Sequence, residues 1–308
     1  MNDQSHASPT SDDSHASRES PNPPDPPGWI SIPASLLNEA GVVRLRESPE
    51  RNRQLLVRQL LDGIYPHPFV LDDGKVRRLH FTLRLVQSEM RIAAPWELAV
   101  AYTQAMLGFL LFQPAPKHIV IVGLGGGSLT KYCHRHCPRS RITTVEVSEG
   151  VIACRDWFLL PPDDERLRIR QQDAADYFAG DPDGADAILL DAYDEDGVAP
   201  QLCTAAFYAN ARAHLKPRGV LVANISGHSQ TAETHIALMR EAFNGRIAIA
   251  DVSADGNRIV YAFNDPTFPP DWKRLARAAR MLGDAHPCDF MRLLRDLERS
   301  VQRDRRRR

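Results

Sequence analysis

Seven short apolar runs separated by amphipathic segments fill the second half of the chain, and they constrain its fold more than any other feature. Each run has the length of a strand, and the segments between them show the three-to-four-residue apolar spacing of helices. Strand–helix alternation over roughly 150 residues predicts a mostly parallel sheet with helices on both faces. The runs read HIVIVG, RITTVEV, RLRIRQQ, ADAILLDA, GVLVANI, GRIAIADV and NRIVYAF.

The last two runs are joined by only a few residues, from Val252 to Asn257. A parallel crossover needs a much longer connection, so these two strands are predicted to pair as an antiparallel hairpin. The predicted fold class is therefore α/β, with a mostly parallel sheet that ends in an antiparallel hairpin. This is the Rossmann-like arrangement typical of S-adenosylmethionine-dependent methyltransferases and related enzymes.

Composition shifts divide the chain into four predicted parts. Residues 1–28 are rich in Ser, Pro and Asp and almost lack large apolar side chains, which predicts a disordered tail. Residues 29–94 form a β-rich N-terminal unit, with a hairpin turn at Asp73-Gly74. Residues 95–267 form the Rossmann-like catalytic domain, which opens with a buried helix in PWELAVAYTQAMLGFLLF. Residues 268–308 form a helical segment that ends in the basic tail RDRRRR, which we expect to be solvated.

Charge and cysteine content exclude several classes of partner. The formal net charge is -1, whereas proteins that bind nucleic acid or membrane surfaces usually have a basic excess. The five cysteines are odd in number and scattered, which favours a reducing compartment over a disulfide framework. The sequence has neither an apolar run of membrane-spanning length nor a secretory leader. We therefore expect a cytoplasmic protein that binds neither nucleic acid nor membrane.

A glycine-rich turn follows the first strand of the predicted sheet. IVIVGLGGGSLT places Gly123, Gly125 and Gly127 between this strand and the next helix, where glycine permits a tight turn and close approach to a ligand. Ser128 stands where a dinucleotide-binding turn would carry its third glycine, so a nicotinamide cofactor is disfavoured. The turn also lacks the Lys-Ser/Thr ending of a phosphate-binding loop.

Acidic residues end the next two strands. Glu146 lies about twenty residues after the turn, where a carboxylate can accept hydrogen bonds from both ribose hydroxyls. Asp173 follows the third strand and can hold an adenine amino group, with the Ala174 N–H beside it. Ligands of open α/β sheets bind at these carboxyl ends. The alternative is that Glu146 and Asp173 only cap the helices that follow them.

The fourth strand leads into a dense acidic stretch. From Asp173 to Pro200 there are nine acidic residues and no Lys, Arg or His. Asp191 and Asp194 are distinguished from the others because they follow a buried strand and face the predicted cleft. Such a site favours a substrate with ammonium groups and a sulfonium cofactor. One carboxylate could also take the proton of a primary ammonium and free its lone pair for attack on carbon.

Over roughly residues 70–265 the sequence resembles the spermidine/spermine synthase family of aminopropyltransferases. In that family a strand ends in Asp-x-x-Asp, followed by a Gly-Pro-like turn and a helix with Phe-Tyr, and DAYDEDGVAPQLCTAAFY has the same order. Tyr102 lies at the place of a tyrosine before the family's glycine turn, and Gln87 is similar to a substrate-contacting glutamine.

The resemblance implies transfer of an aminopropyl group from decarboxylated S-adenosylmethionine to a small polycationic amine such as putrescine, a reaction of polyamine biosynthesis. It implies Asp194 as the proton acceptor, with Asp191 and Tyr102 positioning the amine. Glu146 would bind the ribose of the donor and Asp173 its adenine. The resemblance also implies a homodimer.

The sequence departs from the family pattern at three positions. The family's Tyr-His-Glu is Tyr102-Thr103-Gln104 here, and the aspartate of its glycine loop, which contacts the transferred amine, corresponds to Gly126. The loss of two carboxylates affects the amine side of the site more than the cofactor side. The motifs GLGGGSL and QSxM place the sequence closest to a bacterial branch of the family.

Two other features have structural rather than functional interpretations. Cys133-His134-Arg135-His136-Cys137 resembles a metal-binding cluster, but a single helix cannot direct four such side chains to one point, so no metal is expected. His228 lies in the loop after the fifth strand, and we assign it no role.

Three functional hypotheses remain. The first is an aminopropyltransferase, favoured by Asp191 and Asp194. The second is a methyltransferase that uses intact S-adenosylmethionine, which shares the fold, the glycine turn and Glu146. The third is a non-catalytic relative, suggested by the departures at Thr103, Gln104 and Gly126.

Overall fold

The computed structural model describes residues 25–181, 183–194, 197–198, 200–226, 230–252 and 256–307. Most of the segment predicted to be disordered, residues 1–28, lies outside this description. Of its last four residues, Asp25 accepts hydrogen bonds from Ser31 at 2.5 Å and from Arg44 at 3.4 Å. The described chain thus begins against the N-terminal sheet.

The N-terminal unit is an antiparallel sheet of five strands in the order β1-β2-β3-β4-β5. One helix, α1, packs on it; Asn52 caps its first turn and Gly63 ends it with φ of 71°. The β-rich character predicted for this region is therefore observed. The elements are β1 (Ile30–Pro33), a 3₁₀ turn (Ala34–Leu37), β2 (Val42–Leu45), α1 (Arg53–Asp62), β3 (Phe69–Asp72), β4 (Val76–Thr82) and β5 (Leu85–Arg91).

The second sheet has seven strands in the order β13-β14-β12-β9-β6-β7-β8. All seven predicted runs form these strands. Four neighbouring pairs are parallel: β12 with β9, β9 with β6, β6 with β7, and β7 with β8. Strand β14 is antiparallel to β12 and β13, so the predicted terminal hairpin is confirmed. The strands are β6 (His118–Val122), β7 (Arg141–Glu146), β8 (Leu167–Gln171), β9 (Ala185–Leu190), β12 (Leu215–Ser226), β13 (Ile247–Val252) and β14 (Asn257–Phe263). A separate two-stranded ribbon pairs β10 (Tyr193–Asp194) with β11 (Gly197–Val198).

Helices cover both faces of this sheet because its strands are apolar on both sides. Ile119 and Ile121 pack in one core with α2, α3, α4, α9 and α10, whereas Val120 and Val122 pack in another with α6, α7 and α8. The described helices are α2 (Ala101–Met106), α3 (Phe109–Phe112), α4 (Ser128–His136), α5 (Glu149–Ala153), α6 (Ala174–Ala179), a 3₁₀ turn (Pro200–Leu202), α7 (Ala205–His214), α8 (Gln230–Ala242), α9 (Trp272–Ala285) and α10 (Phe290–Arg307).

The helix predicted from PWELAVAYTQAMLGFLLF is instead two short helices, α2 and α3, which are interrupted at Leu107 and Gly108. The Tyr261 hydroxyl donates a hydrogen bond to the Ala105 carbonyl at 2.5 Å. A Cβ atom at Gly108 would lie 2.2 Å from that hydroxyl oxygen. A distant strand therefore occupies the space that a larger side chain in a continuous helix would need.

The two sheets share a small apolar core that positions β5 beside the glycine turn. Val70, Leu79 and Met90 of the N-terminal sheet pack against Leu124, Phe158 and other apolar residues of the α/β part. Burial of such side chains contributes roughly 1.5–3 kcal/mol each. In the described part of the chain, no helix combines the length and apolar character needed to cross a bilayer.

Candidate functional site

A cavity of about 970 Å³ opens at the carboxyl ends of the parallel strands, between them and β5. It is lined by most of the residues that the sequence predicted for the site. These are Gln87, Tyr102, Gly123, Gly125, Glu146, Asp173, Ala174 and Asp191. The predicted residues thus converge on one place, although they span more than a hundred positions of the chain.

The glycine turn has a backbone shape that favours glycine. Gly123, Gly125 and Gly127 have φ values of 91°, 50° and 69°. A Cβ atom at Gly123 would lie 2.1 Å from the Asp191 carbonyl oxygen, so the turn passes directly against the end of β9. Gly127 packs against Leu160, and it is absent from the cavity lining.

Glu146 lies at the end of β7 with its carboxylate directed toward the glycine turn. One oxygen accepts the Leu124 N–H at 2.8 Å and the other accepts the Ser148 N–H at 2.8 Å. Burial raises the pKa of Glu146, and these backbone hydrogen bonds oppose the rise. Glu146 also lines the cavity, where a carboxylate can accept hydrogen bonds from ligand hydroxyls. Glu146 therefore holds the glycine turn by a hydrogen bond and lines the cavity. It does not cap α5, because the N-cap residue of α5 is Ser148.

Asp173 caps the helix that follows it, as the alternative interpretation of the sequence predicted. Its side chain caps α6 by accepting the Ala175 N–H at 2.7 Å. Asp173 and the buried Ala174 also line the cavity beyond Glu146, so capping leaves Asp173 available to a ligand. The assignment of adenine to this end of the cavity stays a prediction.

Asp191 is held by two neutral donors. Asn224 donates its amide to one carboxylate oxygen at 2.9 Å, and the Tyr102 hydroxyl donates to the other at 3.2 Å. Burial raises the pKa of Asp191 to about 6, although both hydrogen bonds act to lower it. The described residues offer Asp191 no cationic partner. A carboxylate that is mostly ionised at neutral pH and lacks a positive partner is suited to bind an ammonium group.

Asp194 lies three residues further along, and its backbone pairs with Gly197 in the two-stranded ribbon. Its side chain lies outside the described part of the structure, as does the whole of His228. The role of Asp194 as proton acceptor therefore stays a prediction.

Strand β5 forms the wall opposite the strand ends. Gln87, Ser88 and Glu89 all line the cavity. Arg78 donates to Glu89 at 3.0 Å, so this carboxylate already has a cationic partner. A Cβ atom at Gly126 would lie 2.7 Å from the Ser88 hydroxyl oxygen and 2.8 Å from the Phe158 ring. The space that the family's loop aspartate would need is therefore filled by neighbours.

Thr103 and Gln104, the other two departures from the family pattern, hydrogen bond to backbone carbonyls next to the start of α2. The Thr103 hydroxyl donates to Val100 at 2.6 Å, and the Gln104 amide donates to Leu98 at 2.8 Å. Thr103 lines the cavity, whereas Gln104 is absent from its lining. Neither residue replaces the lost carboxylate, and both instead fix the segment that carries Tyr102.

The sequence CHRHC does not form a metal site in the structure. His134 is hydrogen bonded to Asp164 at 2.9 Å, while His136 stacks on Tyr132 with ring centroids 4.3 Å apart. Cys133 and Cys137 are buried against the sheet. Within the described ranges, no group of histidine, cysteine and carboxylate side chains has the geometry to hold a metal ion.

Sequence reasoning missed three polar residues at the Asp191 end of the cavity. Asn224, Ser226 and Asn257 line it, from the end of β12 and the start of β14. A signal was present, because Asn224 interrupts the otherwise apolar run GVLVANI and is itself buried. A buried polar residue in a parallel-sheet strand usually has a specific partner.

The amino-acid sequence of this chain is similar to those of one protein family. The spermine/spermidine synthase domain model matches residues 99–254. A polyamine aminopropyltransferase of Neisseria meningitidis is 32% identical over 238 residues, which are 77% of this chain and 90% of that protein.

Two solved structures share the fold at low identity. The structure of a probable spermidine synthase from Corynebacterium glutamicum is similar with a TM-score of 0.58 and 21% identity, over 69% of this chain and 84% of that one. Human methyltransferase-like protein 13, solved in complex with SAH, is similar with a TM-score of 0.54 and 20% identity, over 66% of this chain and 93% of that one. Both likenesses concern the fold alone.

Proposed function

Because the chain belongs to the spermine/spermidine synthase family, we propose that it transfers an aminopropyl group from decarboxylated S-adenosylmethionine to a small amine. The observation that carries the proposal is Asp191, an ionisable carboxylate held by Tyr102 and Asn224 at one end of the cavity. Glu146 and Asp173 lie toward the other end. This separation supports a nucleoside at one end of the cavity and an amine at the other.

The order of strands supports this division. From one side of the sheet to the other, the carboxyl ends carry Asp173 after β8, Glu146 on β7, the glycine turn after β6, and Asp191 after β9. Neighbouring strands lie roughly 4.8 Å apart, so these groups form a row roughly 14 Å long. A nucleoside on β8 to β6 would place its sulfonium beside the glycine turn, next to Asp191.

The reaction requires little chemistry from the protein beyond alignment and proton removal. The amine nitrogen forms a bond to the carbon next to the sulfonium, and the carbon–sulfur bond breaks with its electron pair left on sulfur as a neutral thioether. The attacking ammonium must first lose a proton, which we assign to Asp194. Asp191 and Tyr102 would hold the amine, and correct alignment of two reactants can lower a barrier by roughly 7–11 kcal/mol.

The first test is calorimetric titration of the protein with decarboxylated S-adenosylmethionine and with the intact form, each with and without putrescine. The proposal requires tighter binding of the decarboxylated form, strengthened by the amine. Preference for the intact form would instead support the methyltransferase hypothesis, and binding of neither would support the non-catalytic one.

A second test addresses the proton acceptor. Asp194→Asn should lower turnover by about 10²–10⁴-fold while binding of the donor persists. Asp181→Asn is the matched control, because Asp181 is exposed and outside the cavity lining. Unchanged turnover in Asp194→Asn would refute the assignment. The homodimer expected from the resemblance and the cytoplasmic location expected from the sequence stay predictions, and size-exclusion chromatography checks the first.

A further inference from the structure

Asn257 is a polar side chain at the Asp191 end of the cavity. It begins β14, is 8% exposed and lines the cavity. An amide donates hydrogen bonds through its nitrogen and accepts them through its oxygen, so an amide that lines a cavity can bind a polar ligand group of either kind. Asn257 is therefore a candidate contact for a bound ligand.

Asn257 belongs to a group of three uncharged side chains that starts at Asp191. Asn224 donates to Asp191, and Ser226 lies two residues further along β12, on the same face of the strand. Ser226 is directly opposite Asn257 in the antiparallel pair of β12 and β14. Side chains in such a pair have Cβ atoms roughly 4.5–5.5 Å apart. We name Asn224, Ser226 and Asn257 the neutral row.

The neutral row continues the line of functional groups across the sheet. β12 lies beside β9, and β14 lies beside β12, both on the side away from the glycine turn. A ligand that extends from the glycine turn past Asp191 would next meet the neutral row. Among described cavity residues, the remaining carboxylates are Glu146 and Asp173 toward the other end, and Glu89, which is paired with Arg78.

We propose, on the basis of the proposed function, that the acceptor binds with its reacting amine at Asp191 and its distal polar group on the neutral row. Amide and hydroxyl oxygens accept hydrogen bonds from an ammonium or from a hydroxyl, and the amide nitrogen can also donate to a hydroxyl oxygen. The site therefore accepts amino alcohols as well as diamines. A carboxylate at this position would instead select strongly for a second positive charge.

The test compares putrescine, 4-aminobutan-1-ol and butylamine, which differ only in the distal group. Their dissociation constants are measured by calorimetry with the protein saturated with 5′-methylthioadenosine, and turnover is measured with decarboxylated S-adenosylmethionine. We expect putrescine and the amino alcohol to bind within about 10-fold of each other, because both make hydrogen bonds to neutral groups. Butylamine should bind about 10-fold more weakly than either, since it makes none.

Variants at Asn257 make the assignment specific. Asn257→Ala should weaken putrescine and the amino alcohol by about 5–10-fold and leave butylamine unchanged. Asn257→Asp introduces a carboxylate and should raise the preference for putrescine over the amino alcohol about 10-fold or more. Asn210→Ala is the matched control, because Asn210 lies on α7 and is absent from the cavity lining.

The outcomes separate this inference from the proposed function. A preference for putrescine over the amino alcohol above about 100-fold would overturn the neutral row as the distal subsite, because it would indicate a carboxylate there. Failure of both Asn257 variants to change binding would overturn it too, as would failure of every amine to bind. Binding in the expected order without turnover would support the subsite and count against aminopropyl transfer.

Discussion

The hydrogen bond from Asn224 to Asp191 should set the pH at which the protein begins to bind and convert an amine. Asp191 must be ionised to hold an ammonium group, and burial raises its pKa to about 6. With both substrates well below saturation, kcat/KM should therefore fall about tenfold between pH 7 and pH 5. An acid limb near pH 4 would show that Asp191 does not control binding.

Removing the Asn224 amide should move this limb to higher pH. A hydrogen bond to a charged group contributes about 1.5–3 kcal/mol, and one pKa unit corresponds to about 1.4 kcal/mol. Water that enters the cavity would replace part of the free energy of this hydrogen bond. Asn224→Ala should therefore shift the acid side of the pH profile by about one pH unit, to near pH 7. Tyr102→Phe should give a smaller shift in the same direction, since its hydrogen bond is longer, at 3.2 Å against 2.9 Å.

The assay is the pH profile of kcat/KM for wild type, Asn224→Ala, Asp191→Asn and the double variant. Asp194 also takes up a proton in the proposed mechanism, so a loss of activity at low pH would not by itself identify Asp191. The shift caused by Asn224→Ala must therefore disappear when Asp191 is already Asn. An equal shift in both backgrounds, or no shift in either, would refute the reasoning.

The same pKa predicts a stability effect of known sign. Burial raises the pKa of Asp191 from its ordinary value of 3.8 to about 6 in the folded protein, so folding favours the protonated form. Its contribution to stability is complete below about pH 4 and is lost as the pH rises through 6. Asp191→Asn should therefore be more stable than wild type at pH 7, by about 1–2 kcal/mol after allowance for its partial exposure, and not at pH 4. Thermal unfolding at both pH values checks this.

Three further perturbations follow from the site geometry. Gly123→Ala should destabilise the protein by about 2–4 kcal/mol and abolish donor binding, because its Cβ would meet the Asp191 carbonyl; unchanged unfolding in urea would contradict this. Burial lowers the pKa of Lys131 from 10.5 to about 8, so the free energy of unfolding of the wild type should rise between pH 8 and pH 10.5. Lys131→Met should show no such rise in thermal unfolding scans. Glu146→Gln should weaken donor binding about 10–100-fold in calorimetry, because the neutral amide can accept from only one of the Leu124 and Ser148 N–H groups. If the variant binds the donor as tightly as the wild type, Glu146 is not part of the donor site.

The apolar runs and their alternation with helices were enough to predict the α/β sheet and the place of its ligand site. Parallel strands joined by right-handed crossovers all direct their carboxyl ends to one edge, so residues that end successive strands must meet there. Glu146, Asp173 and Asp191 are such residues, and the cavity contains all three. The glycine turn was predictable for a local reason, since three positive φ values in one short turn favour glycine.

Contacts that depend on how strands and sheets pack could not be predicted in the same way. Gly108 interrupts the predicted helix because Tyr261, more than 150 positions later, occupies its space. Lys131 is buried because Met90 of the N-terminal sheet and the Phe158 carbonyl cover its ammonium group. Neither partner is near in sequence.

What the sequence determined by itself is the set of strands, the glycine turn and the acidic residues that end the strands, because these depend on local spacing and on one rule of chain direction. Only the tertiary structure decided how Asp191 is held and what lies beyond it. Its donors Tyr102 and Asn224 come from different elements, and Asn257 joins them through the pairing register of β12 and β14. Register and packing are collective properties of the whole sheet, and a local pattern does not encode them.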